Sequence, residues 1–294
     1  MNMAGEKEDA GAAIIAQVTD THIGYDPGAG EAEFNYLRLM AVIDALIALP
    51  SRPDMLILSG DLADSGDPDC YARLKAAVER CPFPVYPMAG NHDDRAELLR
   101  AFPGHADANG FVQFTAECGG LRVVCLDSLE QGRHGGAFCE RRAGWLSAEL
   151  EAHPQTPTLV FIHHPPVVAG IDWMDPRPHE EWFRRFHDTV APHRQVVGIR
   201  CGHLHRPLHA MVGHIPLSVT PAVAPAVALN LSPLDFDHAD ARPIVTAEPP
   251  FYSLHRWHEG ALVTHFQPVG DWPTLARYED RLVPMMQGLA AERE

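Results

Sequence analysis

The apolar run Met55–Ser59 stops abruptly at Gly60-Asp61, and this junction constrains the chain more than any other feature. A buried strand gains nothing from a carboxylate at its end unless something binds it, because an unpaired charge is costly to bury. Gly60 removes the side chain just before Asp61, so backbone or ligand can come close. Asp61 is therefore read as a metal ligand. The same junction recurs along the chain. Residues 14–19 run into Asp20-Thr21-His22, and residues 85–89 into Gly90-Asn91-His92-Asp93. Residues 158–162 run into His163-His164-Pro165-Pro166, and residues 196–201 into Gly202-His203-Leu204-His205. Open α/β sheets place their ligands at such strand ends.

Taken singly, each motif has a plain reading: a turn aspartate with a surface histidine, a turn-forming Asn91, a structural histidine after a core strand. Repetition weakens those readings. Side chains two apart on an extended segment face the same way. Extended backbone would thus pair Asp20 with His22, and His203 with His205, leaving Leu204 directed away.

Between these runs Leu39, Val42, Ile43, Leu46 and Ile47 recur at helical spacing, and Pro50 and Pro53 end that helix. Asp67-Pro68 predicts an N-cap and first helical position, with Tyr71, Leu74 and Val78 as the buried face. Trp145, Leu146 and Leu150 predict another amphipathic helix. Residues 111–114 and 121–127 predict a hairpin around Cys118-Gly119-Gly120. Strand alternating with helix is the rhythm of an α/β fold. The later runs, residues 215–220, 252–257 and 261–267, are expected as strands of a second sheet.

Charge narrows the partners. The net charge of −16 over 294 residues opposes a nucleic-acid polymer, which needs clustered Lys and Arg. A small anion is admissible where bound cations reverse the local charge. The six cysteines lack metal-knuckle or disulfide-scaffold spacing and are read as free thiols. No apolar run approaches the roughly 20 residues that span a bilayer. Residues 1–10 are polar, without the apolar core of a secretory signal. No membrane partner and a cytoplasmic location are the expectations, with residues 1–12 a disordered tail.

In this order, each after a predicted strand, the five motifs resemble the calcineurin-like metallophosphoesterases over roughly residues 14 to 210. A narrower likeness to bacterial class III cyclic-nucleotide phosphodiesterases and glycerophosphodiesterases rests on Asn91-His92-Asp93-Asp94, His163-His164-Pro165-Pro166, Met174-Asp175-Pro176 and the segment from Phe251 to Arg256. The resemblance implies an α/β fold: a β-sandwich of two mixed sheets flanked by helices, αββα, with a C-terminal elaboration. The catalytic domain would cover residues 13–270. It also implies two metal ions, one held by Asp20, His22, Asp61 and His205, the other by Asp61, Asn91, His163 and His203, with Asp61 bridging. His92 would touch the phosphate and protonate the leaving oxygen. Asp64 would orient His92, or else cap a helix or turn; His164 would support the ligands or bond backbone. Homo-oligomers are the family's habit. The tail 271–294, with Trp272, Leu275, Tyr278, Leu282, Met285 and Met286, is read as a covering helix, a subunit contact or core packing.

The donor types fit this chemistry in their own right. Carboxylate, imidazole and amide oxygen suit divalent Mn, Fe or Zn, and no thiolate is in the set. Two such ions clamp a phosphoryl group and acidify a bound water. The expected function is a metal-dependent phosphodiesterase acting on a small phosphodiester, a 3',5'-cyclic nucleotide or a glycerophosphodiester. Phosphomonoesterase or nucleotide pyrophosphatase activity on the same site is the alternative. A scaffold that has lost catalysis should lack several motifs, and all are present. Residues 220–227 are strongly apolar where some glycerophosphodiesterases present a polar group. Residues 235–240 are acidic, and are read as a solvated loop or an entrance lining.

Overall fold

A computed structural model describes residues 12–175 and 180–292. The expected disordered tail, all but its last residue, and Pro176 lie outside the described residues.

The chain builds two sheets. In the first, β1 (Ala13–Val18), β2 (Met55–Ser59) and β3 (Val85–Met88) are parallel neighbours. Parallel strands need crossovers, supplied here by helices α1 (Phe34–Ile47) and α2 (Pro68–Val78). The Asp67 carboxylate accepts a hydrogen bond from the Asp69 amide, 2.8 Å away, and caps α2. A short helix α3 (Arg95–Ala101) follows β3, capped by Asp94.

The second sheet holds β4 (Phe114–Cys118), β5 (Leu121–Leu126), β6 (Thr158–Ile162), β7 (Val196–Cys201), β8 (Leu208–Val212) and β9 (Ile215–Val219). Its strand order is β4-β5-β6-β7-β9-β8, with β5, β6, β7 and β9 parallel. Helices α4 (Glu140–Ala152) and α5 (Glu181–Val190) join these strands and cover the outer face. A two-stranded ribbon, β10 (Ala226–Val227) with β11 (Val245–Thr246), lies apart from both sheets.

Two expectations are corrected here. The hairpin's first strand starts at Phe114 and runs to Cys118. Gly119 and Gly120 both have positive φ and form the turn, which moves the pairing later than residues 111–114 suggested. The late runs also divide between the sheets. β9 pairs with β7, whereas β12 (Phe251–His258) and β13 (Ala261–Pro268) extend the first sheet from the free edge of β1. That edge offers a row of backbone donors and acceptors which must be paired if buried.

Side-chain alternation makes the layers. Ile15, Ile57, Val123 and Phe161 meet between the sheets, while Val18, Leu56 and Leu58 pack under α1 and α2. Val124, Val160 and Ile162 pack under α4 and α5. Both faces of the parallel strands are buried, which is why they read as continuous apolar runs. The layers are helix, sheet, sheet, helix. No helix of the described residues is long and apolar enough to cross a membrane.

The C-terminal segment stands outside this core. Trp272, Leu275, Tyr278, Met285 and Met286 are exposed, and helix α6 (Val283–Ala291) buries no residue. The core-packing reading of the tail is therefore wrong.

One polar side chain ties the sheets together from inside. Gln17 on β1 donates to Ser59 Oγ (2.7 Å) and to the Cys201 carbonyl on β7 (3.1 Å). Its oxygen accepts from Thr220 (2.7 Å) and lies 3.0 Å from His255 Nε2. Gln17→Ala leaves several of these buried groups unsatisfied, each worth roughly 1–3 kcal/mol. Urea unfolding should show a loss of about 2–4 kcal/mol; a change under about 0.5 kcal/mol would refute the bridging role.

Candidate metal centre

The carboxyl ends of β1, β2 and β3 in one sheet, and of β6 and β7 in the other, open on the same side of the sandwich. The chain then turns sharply at each end. Among the described residues seven non-glycines have positive φ, and five are Asp20 (53°), His22 (45°), Asp61 (50°), His203 (70°) and His205 (54°). The extended geometry expected for Asp20/His22 and His203/His205 is thus replaced by left-handed turns. These aim the side chains at one point, and Leu204 is buried instead. Such conformations cost about 1–3 kcal/mol each and persist only where surrounding contacts enforce them. Here the enforcing contacts are backbone bonds between loops: Asp20 N to Gly60 O (3.0 Å), His22 N to Asp61 O (3.0 Å) and Gly202 N to His163 O (3.0 Å).

Asp20 and Asp61 are essentially sealed from solvent. Asp20 accepts the His203 amide at 3.0 and 3.1 Å, and Asp61 Oδ1 accepts the His92 amide at 2.8 Å. His205 Nε2 lies 3.4 Å from Asp20 Oδ1; His163 Nε2 lies 3.3 Å, and His22 Nε2 3.7 Å, from Asp61 Oδ2. Asp20, His22 and His205 form one group of converging donor atoms, and Asp20, Asp61 and His163 another. His203 packs its ring 5.4 Å from that of His163.

The far nitrogen of three of these rings is fixed. His163 Nδ1 donates to the Ser59 carbonyl (2.8 Å) and His205 Nδ1 to the Pro225 carbonyl (2.8 Å), since a carbonyl can only accept. His22 Nδ1 meets the Asp64 carboxylate at 3.0 Å. Each bond orients the ring and leaves Nε2 facing the centre, an arrangement typical of metal-ligating histidines. Two buried atoms of the predicted ligand set, His163 Nε2 and Asn91 Oδ1, have no hydrogen-bond partner. Asn91 Oδ1 offers lone pairs, and His163 Nε2 offers one when the ring is neutral with its proton on Nδ1. With two buried carboxylates and no thiolate, the residues fit a pair of divalent cations.

Electrostatics follow from burial and proximity. Burial alone would push the Asp61 carboxyl up, but the His163 and His22 rings outweigh it and hold Asp61 well below the usual carboxylate range. Asp20 is held down in the same way, chiefly by His205. Burial drives His203 and His164 well below ordinary histidine, helped by neighbouring imidazoles. The Asp61 carboxylate overcomes burial at His163 and lifts it to about 9.

His92 stands beside this group, ring 4.5 Å from that of His22. Its Nδ1 donates to the backbone carbonyl of Asp64 (2.9 Å), with the Asp64 carboxylate 3.7 Å away. Asp64 therefore orients His92 mainly through its backbone, and its carboxylate serves His22. His164 uses both ring nitrogens, toward Ser128 Oγ (2.8 Å) and the His134 carbonyl (3.2 Å).

Other residues here are given no role by the sequence, Asp93 standing in a motif without one. The buried Asp93 carboxylate accepts the amides of Leu62, Ala63 and Gly90 and the Tyr71 hydroxyl, locking the second and third loops together. His134, in a glycine-rich loop, lies 4.8 Å ring to ring from His203 and 3.4 Å from Asn91 Nδ2. Arg38 clamps the carbonyls of Val223 and Ala224, one residue before the carbonyl that holds His205. The site opens into a cavity of about 580 Å³. Ala224, Pro225 and Val227 of the apolar segment line it, whereas residues 235–240 do not and are solvated.

Comparison with known proteins agrees with this geometry. A family model described as calcineurin-like phosphoesterase matches residues 14–207. The chain is 31% identical over 264 residues to a probable glycerophosphodiester phosphodiesterase GpdQ of Arcobacter nitrofigilis, covering 87% of this chain and 93% of that one. It is 33% identical over 222 residues to a cAMP/cGMP dual specificity phosphodiesterase of Mycobacterium tuberculosis, covering 71% and 67%. Among solved structures, a dimetal phosphatase from Danio rerio superposes with a TM-score of 0.64 at 14% identity, over 87% of this chain and 96% of that one. At that identity the likeness concerns the fold.

Gly90 tests how tightly the centre is built. A Cβ there would sit 2.2 Å from Asp61 Oδ1 and 2.4 Å from Asp61 N. Gly90→Ala should lower stability by about 1–3 kcal/mol, as overpacking does, and weaken Mn(II) binding in calorimetry at least about tenfold, or 1.4 kcal/mol. Unchanged affinity would mean that Asp61 does not hold metal in this geometry.

Proposed function

The chain belongs to the calcineurin-like phosphoesterase family, and on that premise we propose that it is a dinuclear metal-dependent phosphodiesterase of small phosphodiesters, a 3',5'-cyclic nucleotide or a glycerophosphodiester. The observation that carries the reading is the convergence of the Asp20 and Asp61 carboxylates with the Nε2 atoms of His22, His163 and His205, beside an open cavity that His22, Asp61, His203 and His205 line. One ion is assigned to Asp20, His22, Asp61 and His205, the other to Asp61, Asn91, His163 and His203. The nitrogen and oxygen donors suit Mn, Fe or Zn. Bound there, two such ions polarise a phosphoryl group and acidify a coordinated water.

The chain's own residues do the rest. Asp61 faces both halves of the ligand set and suits a bridging role. His92 lines the cavity, and its Nδ1 is committed to the Asp64 carbonyl, so Nε2 carries the transferable proton. It is the group to protonate the departing alkoxide. Among the described residues lining the cavity none is Lys or Arg. That favours a substrate with a single phosphoryl charge over a diphosphate-linked one.

The experiment is an assay of Mn-reconstituted protein on bis(p-nitrophenyl) phosphate, cyclic AMP and a glycerophosphodiester, with Asp61→Ala as the metal-free control. His92→Ala should keep its metal content and turn over alkyl diesters about 10² to 10⁴ times more slowly, the usual worth of general acid catalysis. The p-nitrophenyl ester, whose leaving group needs no proton, should suffer less. Alkyl turnover near wild type with both ions bound would remove His92 from this role.

A further inference from the structure

Residues 24–34 are a part of the cavity wall that the metal chemistry does not use. This stretch leaves the Asp20–His22 turn, passes through two short 3-10 turns (Pro27–Ala32) kinked at Gly30 and enters α1 at Phe34. It exposes two aromatic rings at the cavity, Tyr25 at 75% and Phe34 at 55%. A loop that exposes such rings is ordinarily free to fold them away.

This one is pinned. The buried Glu33 carboxylate accepts the Gly24 amide (2.8 Å) and the Asp26 amide (3.4 Å), and pairs with Arg73 of α2 (2.8 Å). Arg73 also donates to the Gly30 carbonyl (2.7 Å), and Asn35 donates to the His22 carbonyl (3.0 Å). Arg38 places its guanidinium 5.2 Å from the Phe34 ring centre. The rings are thus held out on a fixed strap. Trp173, from the other half of the molecule, is a third aromatic residue on the same cavity.

The volume and charge of the cavity say what such a wall would meet. About 580 Å³ far exceeds a phosphoryl group and falls within the 300–1,000 Å³ typical of small-molecule sites. Among the described residues the charged side chains lining it besides histidine are Asp26, Glu33, Asp61 and Asp64, all acidic. Away from the ligand set a second anionic group would find no basic side chain among these residues, and a small polyol would leave the aromatic wall in water.

We propose that the strap of residues 24–34 is a specificity element: Phe34 and Tyr25, with Trp173, bind a flat aromatic ring on the substrate. The substrate favoured is then the diester that carries a nucleobase. This rests on the phosphodiesterase reading and chooses between its two substrates.

The test is the ratio of kcat/KM for cyclic AMP to kcat/KM for glycerophosphoethanolamine, measured with Mn-reconstituted protein. The wild type should prefer cyclic AMP. Phe34→Ala and Trp173→Ala should each lower the ratio at least about fivefold, the lower end for loss of a base-stacking side chain. The loss should lie mainly in KM. Phe34→Tyr, which keeps the ring, should hold the ratio within about threefold, whereas Phe34→Leu, apolar without a π face, should not. Rescue by Leu, or equal losses on both substrates, would overturn the specificity role, as would a wild type that prefers the glycerol ester. Hydrolysis of neither substrate, nor of bis(p-nitrophenyl) phosphate, would instead remove the phosphodiesterase reading beneath it.

Discussion

Two carboxylates, Asp20 and Asp61, are buried side by side at the end of a sandwich whose layers are packed mainly by apolar side chains. Leaving such charges uncompensated would be expensive. Much of the molecule can be understood as the means of making that burial tolerable. The parallel strands bring their carboxyl ends to one place. The loops then turn left-handed, bond to one another through their backbones and lay amide donors and imidazoles around the carboxylates. Asp93 stands behind them and ties two of the loops through three amides.

The arrangement separates two jobs that a histidine does at once. One ring nitrogen answers to the scaffold: the carbonyls of Ser59 and Pro225 and the carboxylate of Asp64 take it up. The other answers to the site. Because the scaffold partners lie on strand ends and loops fixed by the core, ring orientation is inherited from the packing of the sheets. Arg38 extends the same logic a layer further out, since it holds the segment whose carbonyl holds His205.

Much of this was legible in the residues. β2, β6 and β7 follow their predicted runs residue for residue, because strands buried on both faces are dominated by apolar residues, with Arg200 of β7 a charged exception. The cap of α2 announced itself in Asp67-Pro68. The turns did not. The sign of φ at Asp20 or His203 leaves no trace in periodicity, so an extended geometry was the natural and mistaken expectation. The partition of late strands between sheets was equally hidden, since pairing with the edge of β1 depends on which edge is free. Glu33 and Arg38 escaped notice, and Asp93 stood in a motif without a role of its own, because their partners are largely backbone atoms, which no sequence pattern specifies. His134 lacks the preceding strand that marked the other histidines. Helix α5 did carry a signal, with Trp182, Phe186 and Val190 at fourfold spacing, and all three are buried.

The proposed ligand set straddles the sandwich: Asp20, His22, Asp61 and Asn91 follow strands of one sheet, while His163, His203 and His205 follow strands of the other. Cations held there would act as a rivet through both layers at one end. Toward the opposite end the sheets meet largely through apolar packing, Ala13 and Ile15 with Cys118 and Leu121. Such a body is asymmetric in how it can open, and ion loss would free the riveted end. Amides of the loops beyond β1, β2 and β7 would then exchange with solvent through local opening, while those in mid-strand exchanged only on global unfolding. The centre that suits the chemistry would thereby also set which end of the sandwich breathes.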